Sequence, residues 1–314
     1  MSLRRVAVPT LSALALACSA LLAGCSAFSE GDGAGDGGVR VATGFYPLQF
    51  VAERVGGDLV SVENLTVPGN EPHDLELTIT ETASIAQADV VIYEDGFQPA
   101  VDDGVETSAE GALVDAAEVV ELRHQDEEDH EEGESEEDHD HGDVDPHFWQ
   151  DPALLADLGD AVAETFSELD EANADSYTAN AAELRADLET LDASYTEGLV
   201  GCERDIVVVS HDAFGYLEKY GLHFEAIAGL SPDAEPTPAD LGRLTQLIED
   251  EGITTVFGER LAPPALVDTL ARDTGVTTAV LDPVEGLTDE DEDEDYLTLM
   301  AENLEALRTA NGCP

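Results

Sequence analysis

Short apolar runs alternate with longer segments of helical periodicity from residue 39 almost to the end of the chain, and this pattern constrains the fold most. It is typical of parallel sheets covered by helices, so we predict an α/β fold with two βα lobes. In the first half, strands are predicted at 39–43, 60–67, 89–93 and 116–122, and a helix at 47–55. In the second half, strands are predicted at 205–210, 224–227, 254–257 and 277–281, and helices at 213–220, 237–251, 264–273 and 296–310.

A long helical region separates the two halves. Residues 152–195 are rich in Ala, Leu, Glu and Asp, contain no proline after Pro152, and carry apolar residues at i, i+3 and i+4 spacing. About 40 helical residues would span roughly 60 Å, which is too long for one small βα unit. The region is either one helix or two helices with a break near 170–174. In both cases we predict a spine that connects the lobes.

An acidic segment at 122–144 interrupts the alternation. Asp126 to Asp145 holds 13 carboxylates, and no part of it has the apolar residues that a core needs. We predict a disordered low-complexity loop. Weak capture of metal ions is one interpretation, and a solvated acidic linker is the other. The histidines in or beside the loop are His124, His130, His139 and His141.

The charge balance excludes several classes of partner. The chain has 71 acidic and 12 basic residues, for a formal net charge of −59. A surface this negative repels nucleic acid and anionic membrane surfaces, and it attracts cations. Apolar residues make up 43% of the chain, which is enough for a sizeable core.

The first 24 residues have the pattern of a signal peptide. Arg4 and Arg5 precede an apolar run that ends in Leu-Ala-Gly-Cys at Cys25. The ending resembles a bacterial lipobox, in which the cysteine receives lipid and becomes the new N-terminus. An ordinary signal peptide with a chance cysteine is the alternative. We therefore predict a signal peptide at 1–24, a lipidated flexible tether at 25–38, and a chain anchored to the outer face of the cytoplasmic membrane, facing the periplasm or cell surface.

Two cysteines remain after the leader and the lipid site are assigned. Cys202 and Cys313 form an even pair in a chain predicted to reach an oxidising compartment, so we predict a disulfide between them. Metal-binding thiolates are the weaker alternative, because neither cysteine belongs to a CxxC pair.

Three histidines and one aspartate lie in turns that follow strands or open a helix. His73 follows the second predicted strand, His147 precedes the spine, and His211 and Asp282 each follow a strand of the second half. Ligands of α/β proteins bind outside the carboxyl ends of the strands. Three imidazoles and a carboxylate suit the tetrahedral coordination of Zn²⁺. Periodicity alone leaves a metal site and ordinary surface or core histidines about equally favoured.

The lipobox and several motifs, in order along the chain, resemble those of the ZnuA/TroA-like solute-binding lipoproteins of bacterial ABC metal importers (cluster A-I). The resemblance covers nearly the whole mature chain. It implies two lobes with four-stranded sheets, one long rigid spine helix, and a metal bound between the lobes by His73, His147, His211 and Asp282. The motifs are PG…HD before and at His73, DPHFWQDP, SHDAFGY followed by YGL, and LDPVEGL.

The implied function is an extracytoplasmic receptor that hands Zn²⁺ to an ABC permease without catalysing a reaction. Members that bind zinc are similar to this chain in carrying His at the third ligand position, so His211 favours Zn²⁺ over Mn²⁺. Glu71 is an outer candidate ligand, with a solvated loop carboxylate as the favoured alternative. A manganese receptor of the same family, and an adhesin or metal buffer, remain open. A zinc hydrolase is disfavoured because the sequence contains no HExxH.

We expect a monomer with four segments after the tether. These are an N-terminal lobe at 39–121, the acidic loop at 122–144, the ligand turn and spine at 145–200, and a C-terminal lobe at 201–314.

Overall fold

The computed structural model describes residues 38–124, 144–232, 234, 236–288 and 294–314. Four of the predicted site residues lie outside the described residues: Cys25, His130, His139 and His141. The described residues belong to one compact unit, Gly38 to Pro314, and its fold is given below.

Four parallel strands form the first sheet, in the order β2-β1-β3-β4. They are β1 (Val39–Thr43), β2 (Val60–Asn64), β3 (Val90–Tyr93) and β4 (Ala112–Asp115). β1 and β3 are central and carry buried valines and isoleucine, as strands covered on both faces require.

The helices of the first half connect these strands. They are α1 (Tyr46–Gly56), α2 (Ile79–Gln87), α3 (Pro99–Ser108) and α4 (Ala116–Val119). The sequence reasoning missed α2 and α3. It was also wrong about a strand at 116–122, because the fourth strand ends at Asp115 and its side chain accepts a hydrogen bond from the Ala117 N–H. That cap starts a short helix where the apolar run predicted a strand.

The acidic segment is bordered by a short antiparallel pair, β5 (Arg123–His124) and β6 (Val144–Asp145). A 3-10 turn at Phe148–Gln150 follows β6 and leads into the central helices. The Asp151 side chain accepts a hydrogen bond from the Ala153 N–H and so caps the next helix.

Two helices form the spine. They are α5 (Pro152–Leu169) and α6 (Ala174–Gly198), separated by a 3-10 turn at Glu171–Asn173. The break falls where Asp170 accepts hydrogen bonds from the side chains of Asn173 and Tyr177. α6 is the long helix, and it packs against α1, α5 and α9 (Tyr296–Asn311), so it contacts elements of both halves. None of the described helices is both long enough and apolar enough to cross a membrane.

The second sheet repeats the architecture of the first. Its parallel strands run in the order β10-β9-β7-β8 and comprise β7 (Ile206–Val209), β8 (His223–Ala226), β9 (Thr255–Gly258) and β10 (Thr277–Val280). The connecting helices are the 3-10 helix Gly215–Tyr220, α7 (Pro238–Glu251) and α8 (Ala265–Thr274). The two parallel four-stranded sheets and the long helix confirm the predicted fold class.

One apolar core continues across the spine. A single cluster of buried side chains includes Val41 of the first sheet, Phe166 of α5, Tyr195 of α6 and Val207 of the second sheet. The end of α9 is held to the segment after α6 by the predicted disulfide between Cys202 and Cys313. Hydrogen bonds from the Glu203 and Arg204 N–H groups to the Asn311 carbonyl hold the same junction.

Candidate metal centre

Four side chains from separate turns meet between the two sheets. His73 lies in the turn after β2, and His147 lies between β6 and α5. His211 follows β7, and Glu285 follows β10. One potential ligand atom of each residue lies within 4.8 Å of those of the other three. Both halves of the chain thus supply ligands at the carboxyl ends of their strands.

The three imidazoles converge on one carboxylate oxygen. The Oε1 atom of Glu285 lies 3.3 Å from Nε2 of His147, 3.3 Å from Nε2 of His211 and 3.6 Å from Nε2 of His73. The Nε2 atoms of His73 and His147 are buried and have no hydrogen-bond partner among the residues that the structure describes. Buried polar atoms are normally satisfied, so these two nitrogens are available to a metal ion.

The opposite nitrogens of two rings are fixed by carboxylates. Nδ1 of His147 lies 2.8 Å from Oδ1 of Asp145, and Nδ1 of His211 lies 2.6 Å from Oε1 of Glu259. A carboxylate at this position fixes the tautomer that presents Nε2 to a metal and raises the basicity of the ring. Sequence reasoning missed both partners, although Asp145 opens the motif that contains His147.

Asp282 does not join the three histidines. The group that could hold a metal consists of His73, His147, His211 and Glu285, so the predicted position of the carboxylate was wrong by three residues. Oδ1 of Asp282 accepts a hydrogen bond from the Val284 N–H at 2.7 Å, and Oδ2 lies 3.2 Å from Nε of Arg260. Asp282 therefore closes the turn that carries Glu285.

Val284 adopts a backbone conformation that brings Glu285 into the cleft. Its φ is 59°, in the left-handed region that β-branched residues rarely occupy. Hydrogen bonds hold the turn in place, because the Pro283 carbonyl accepts from Nε1 of Trp149 and from the Gln150 amide. The Tyr46 N–H also donates to the Glu285 carbonyl at 3.3 Å. Neighbouring hydrogen bonds thus maintain a strained backbone at the site.

The pKa values of the site favour protons on the imidazoles, which a bound metal ion would displace. Burial lowers the pKa of His211, but hydrogen bonds with Glu259 and Glu285 outweigh it and raise the pKa to about 10. Burial lowers the pKa of His147 as well, but the electrostatic interactions of its ring with Asp145 and Glu285 outweigh burial and raise the pKa. Burial raises the pKa of Glu285, but the three imidazoles hold it well below its ordinary value. A bound cation would replace these protons as the partner of Glu285.

Glu71 lies beside the group without belonging to it. Its carboxylate accepts a 3.4 Å hydrogen bond from the His73 N–H and also interacts with Glu285. Burial, followed by repulsion from Glu285, raises the pKa of Glu71 to about 8. Glu71 is therefore an outer neighbour of the site, more buried than the solvated loop carboxylate that we expected.

Aromatic rings cover one side of the histidines. The Phe97 ring lies 4.7 Å from the His73 ring, and the Trp149 ring lies 5.3 Å from that of His147. His124 lies elsewhere, exposed on β5, and the structure does not bring it to the four residues.

Comparison with known proteins identifies the family. A sequence model of the ZnuA family, described as the periplasmic component A of a zinc-uptake complex, matches residues 41–310. The chain belongs to the ZnuA family. It is 34% identical to the high-affinity zinc uptake system protein ZnuA of Bacillus subtilis, with 93% of this chain and 94% of the relative covered.

A second relative is longer than this chain. The zinc-binding lipoprotein AdcA of Streptococcus pneumoniae is also 34% identical, and the match covers 94% of this chain but only 59% of AdcA. The chain therefore spans about three fifths of the length of that relative.

Solved structures show the same fold. Zn(II)-bound AdcA from Streptococcus pneumoniae superposes with a TM-score of 0.73 at 33% identity, and 88% of this chain and 58% of AdcA are covered. The laminin-binding protein Lmb of Streptococcus agalactiae, described as having adhesin and metal-transporting activity, gives a TM-score of 0.76 at 26% identity. That match covers 87% of this chain and 99% of Lmb.

Proposed function

We propose that the chain is an extracytoplasmic receptor that captures Zn²⁺ with His73, His147, His211 and Glu285 and delivers it to an ABC permease. The observation that carries the proposal is the convergence of three buried imidazole Nε2 atoms on one carboxylate oxygen. Nitrogen-rich sets of this kind suit Zn²⁺, whereas Mn²⁺ favours sets with more carboxylate oxygens. The zinc-uptake family and the Zn(II)-bound relative support the same cargo.

The site suits binding and release better than catalysis. Four protein ligands complete a tetrahedral shell, and hydrolytic zinc sites keep one position open for water. All four ligands lie on turns, so a partner that displaces one turn would open the shell. We infer that the permease triggers release in this way and that the chain itself is a receptor and not an enzyme.

The location and the organisation of the chain follow from the same receptor function. We propose a lipid anchor at Cys25, a monomeric receptor, and auxiliary metal capture by the histidines of the acidic loop. The segment boundaries at 121/122, 144/145 and 200/201 are part of the same proposal. The charge of the loop supports the auxiliary metal capture, and the lipoprotein name of AdcA supports the lipid anchor.

A zinc competition titration against a chelator of known affinity tests the cleft site. We expect one tight site in the full chain and its loss in His147→Ala, because His147 is fully buried and aims Nε2 at Glu285. His223→Ala is the matched control, since His223 is exposed at the start of β8 and should leave the affinity unchanged.

The result that would overturn the proposal is a tight site that survives His147→Ala. A preference between metals measured with the purified protein does not identify the cargo, because Zn²⁺ outcompetes Mn²⁺ at most nitrogen and oxygen sites. Cellular uptake of labelled zinc and labelled manganese, with and without this chain, separates the zinc receptor from the manganese alternative. Uptake of neither metal would favour the adhesin or buffer.

A further inference from the structure

A cavity of about 430 Å³ lies against the outer side of His73. Glu94 and Phe97, which follow β3, line it from the first half, and Leu230 and Ser231 line it from the second. Since one water molecule occupies about 30 Å³ of liquid, the cavity has room for a metal ion with its hydration shell.

Glu94 lines this cavity, and its carboxyl group has no partner among the described residues. The residue is 2% exposed, and within the described part of the chain neither Oε1 nor Oε2 has a hydrogen-bond partner. The charged groups that act on it are themselves carboxylates, those of Asp145, Asp115 and Asp102. Buried carboxylates are normally paired or bound to a metal ion, and they are costly when they are neither.

The guanidinium of Arg123, in the bordering strand pair, is engaged with other groups. The Arg123 guanidinium forms an ion pair with Glu218 and donates to the Gly215 carbonyl. Burial, followed by repulsion from the three carboxylates, raises the pKa of Glu94 well above its ordinary value. A divalent cation in the cavity would offset both effects.

The cavity also lies on the accessible side of the zinc site. The side chains of His147 and His211 are fully buried, whereas 11% of the His73 side chain is exposed. His73 lines the cavity and also belongs to the four-residue group. An ion that leaves the cavity inward therefore meets His73 first.

We propose that Glu94 and this cavity form a transit site, where a hydrated divalent cation binds weakly through the Glu94 carboxylate before His73 takes it up. The inference rests on the proposed zinc-receptor function. One protein carboxylate with water as the remaining ligands gives a weak site, which a transit site must be if the ion is to move on. Carboxylate oxygen is an accepted ligand of Zn²⁺, so the transfer needs no change of metal chemistry.

The test is the rate of zinc exchange in the full chain, followed by stopped flow with a fluorescent zinc indicator. Glu94→Gln keeps the shape of the side chain and removes the carboxylate that would bind the cation. We expect the association rate constant to fall about five- to tenfold, because the local concentration of the cation is lost. The dissociation rate constant should fall by a similar factor, because Glu94 lies on the path and not in the final shell.

Two variants serve as controls. Glu63→Gln removes the same charge from an exposed position on β2 and should change the rates less than twofold. Glu94→Asp keeps the charge and should restore most of the rate. Thermal unfolding of each variant confirms that the fold is intact.

Three results would overturn the inference. They are unchanged rates in Glu94→Gln, an equal effect of Glu63→Gln, and slower association with faster dissociation, which would place Glu94 at the final site. Absence of tight zinc binding in the unmodified chain would be a failure of the proposed receptor function instead. The two failures are therefore distinguishable.

Discussion

Asp282 and Glu285 illustrate how far a single residue can be assigned from sequence. Both lie in the same motif after β10, and the sequence favours Asp282 because it directly follows the strand. The left-handed backbone of Val284, and the hydrogen bonds that hold Pro283, turn the chain so that Glu285 enters the cleft. A positive φ at a valine has no signature in the sequence. For the three histidines, the turns next to regular elements together with the family resemblance predict the residues that the structure brings together.

Replacing each of these two carboxylates with the corresponding neutral amide separates their roles. Glu285→Gln should weaken zinc binding by more than the roughly 100-fold that marks the upper range for outer partners, because it removes the charged oxygen that faces all three imidazoles. Asp282→Asn keeps an acceptor for the Val284 N–H and should weaken binding by about tenfold or less. Chelator competition measures both. A larger loss in Asp282→Asn would restore Asp282 as the ligand.

At the scale of elements, the strands and terminal helices of the second half follow their predicted ranges closely. The sequence allows one spine helix or two, and the structure contains two. The signal was present at Asp170, whose carboxylate stabilises a turn by accepting from Asn173 and Tyr177. Propensity alone could not decide, because the flanking sequence is rich in helix formers on both sides of the break.

The packing of α5 against α6 should dominate the stability of the spine. Leu184 of α6 is fully buried, and it packs so closely on Gly159 of α5 that a Cβ there would lie 3.1 Å from its Cδ2 atom. Leu184→Ala should lower the free energy of unfolding by about 2–5 kcal/mol, the usual cost of a large cavity in a core.

Leu169 offers a matched control at the end of α5. Its side chain is 48% exposed, so Leu169→Ala should cost well under 1 kcal/mol. Urea denaturation of the metal-free protein compares the two variants directly. Equal losses would mean that α5 and α6 are not held together by this contact.

On the scale of the whole molecule, repulsion among carboxylates affects stability more than any single ion pair. The formal charge is −59, and only 12 basic residues are available to compensate 71 acidic ones. The excess is also found in partly buried positions. Burial, followed by neighbouring carboxylates, raises the pKa of Asp102 to about 6, and the pKa of Asp115 is raised as well. Composition predicts the repulsion, but only the fold shows which carboxylates bear it.

These shifts give the metal-free protein an unusual pH dependence. Carboxyls whose pKa is raised by folding bind protons more tightly in the folded state, so they lower the stability as pH rises through the folded pKa. With metal removed by a chelator, the melting temperature should therefore rise as pH falls from about 7.5 to 5.5, because this range lies below the pKa of about 8 of Glu71 and spans the pKa of about 6 of Asp102. Thermal unfolding followed by circular dichroism measures the slope, and Asp102→Asn should reduce it.

Sodium chloride at 1 M, where the Debye length is about 3 Å, should raise the melting temperature through the exposed charges and leave most of the slope from buried ones. A melting temperature that falls between pH 7.5 and 5.5 would contradict the assignment of the repulsion to buried carboxylates.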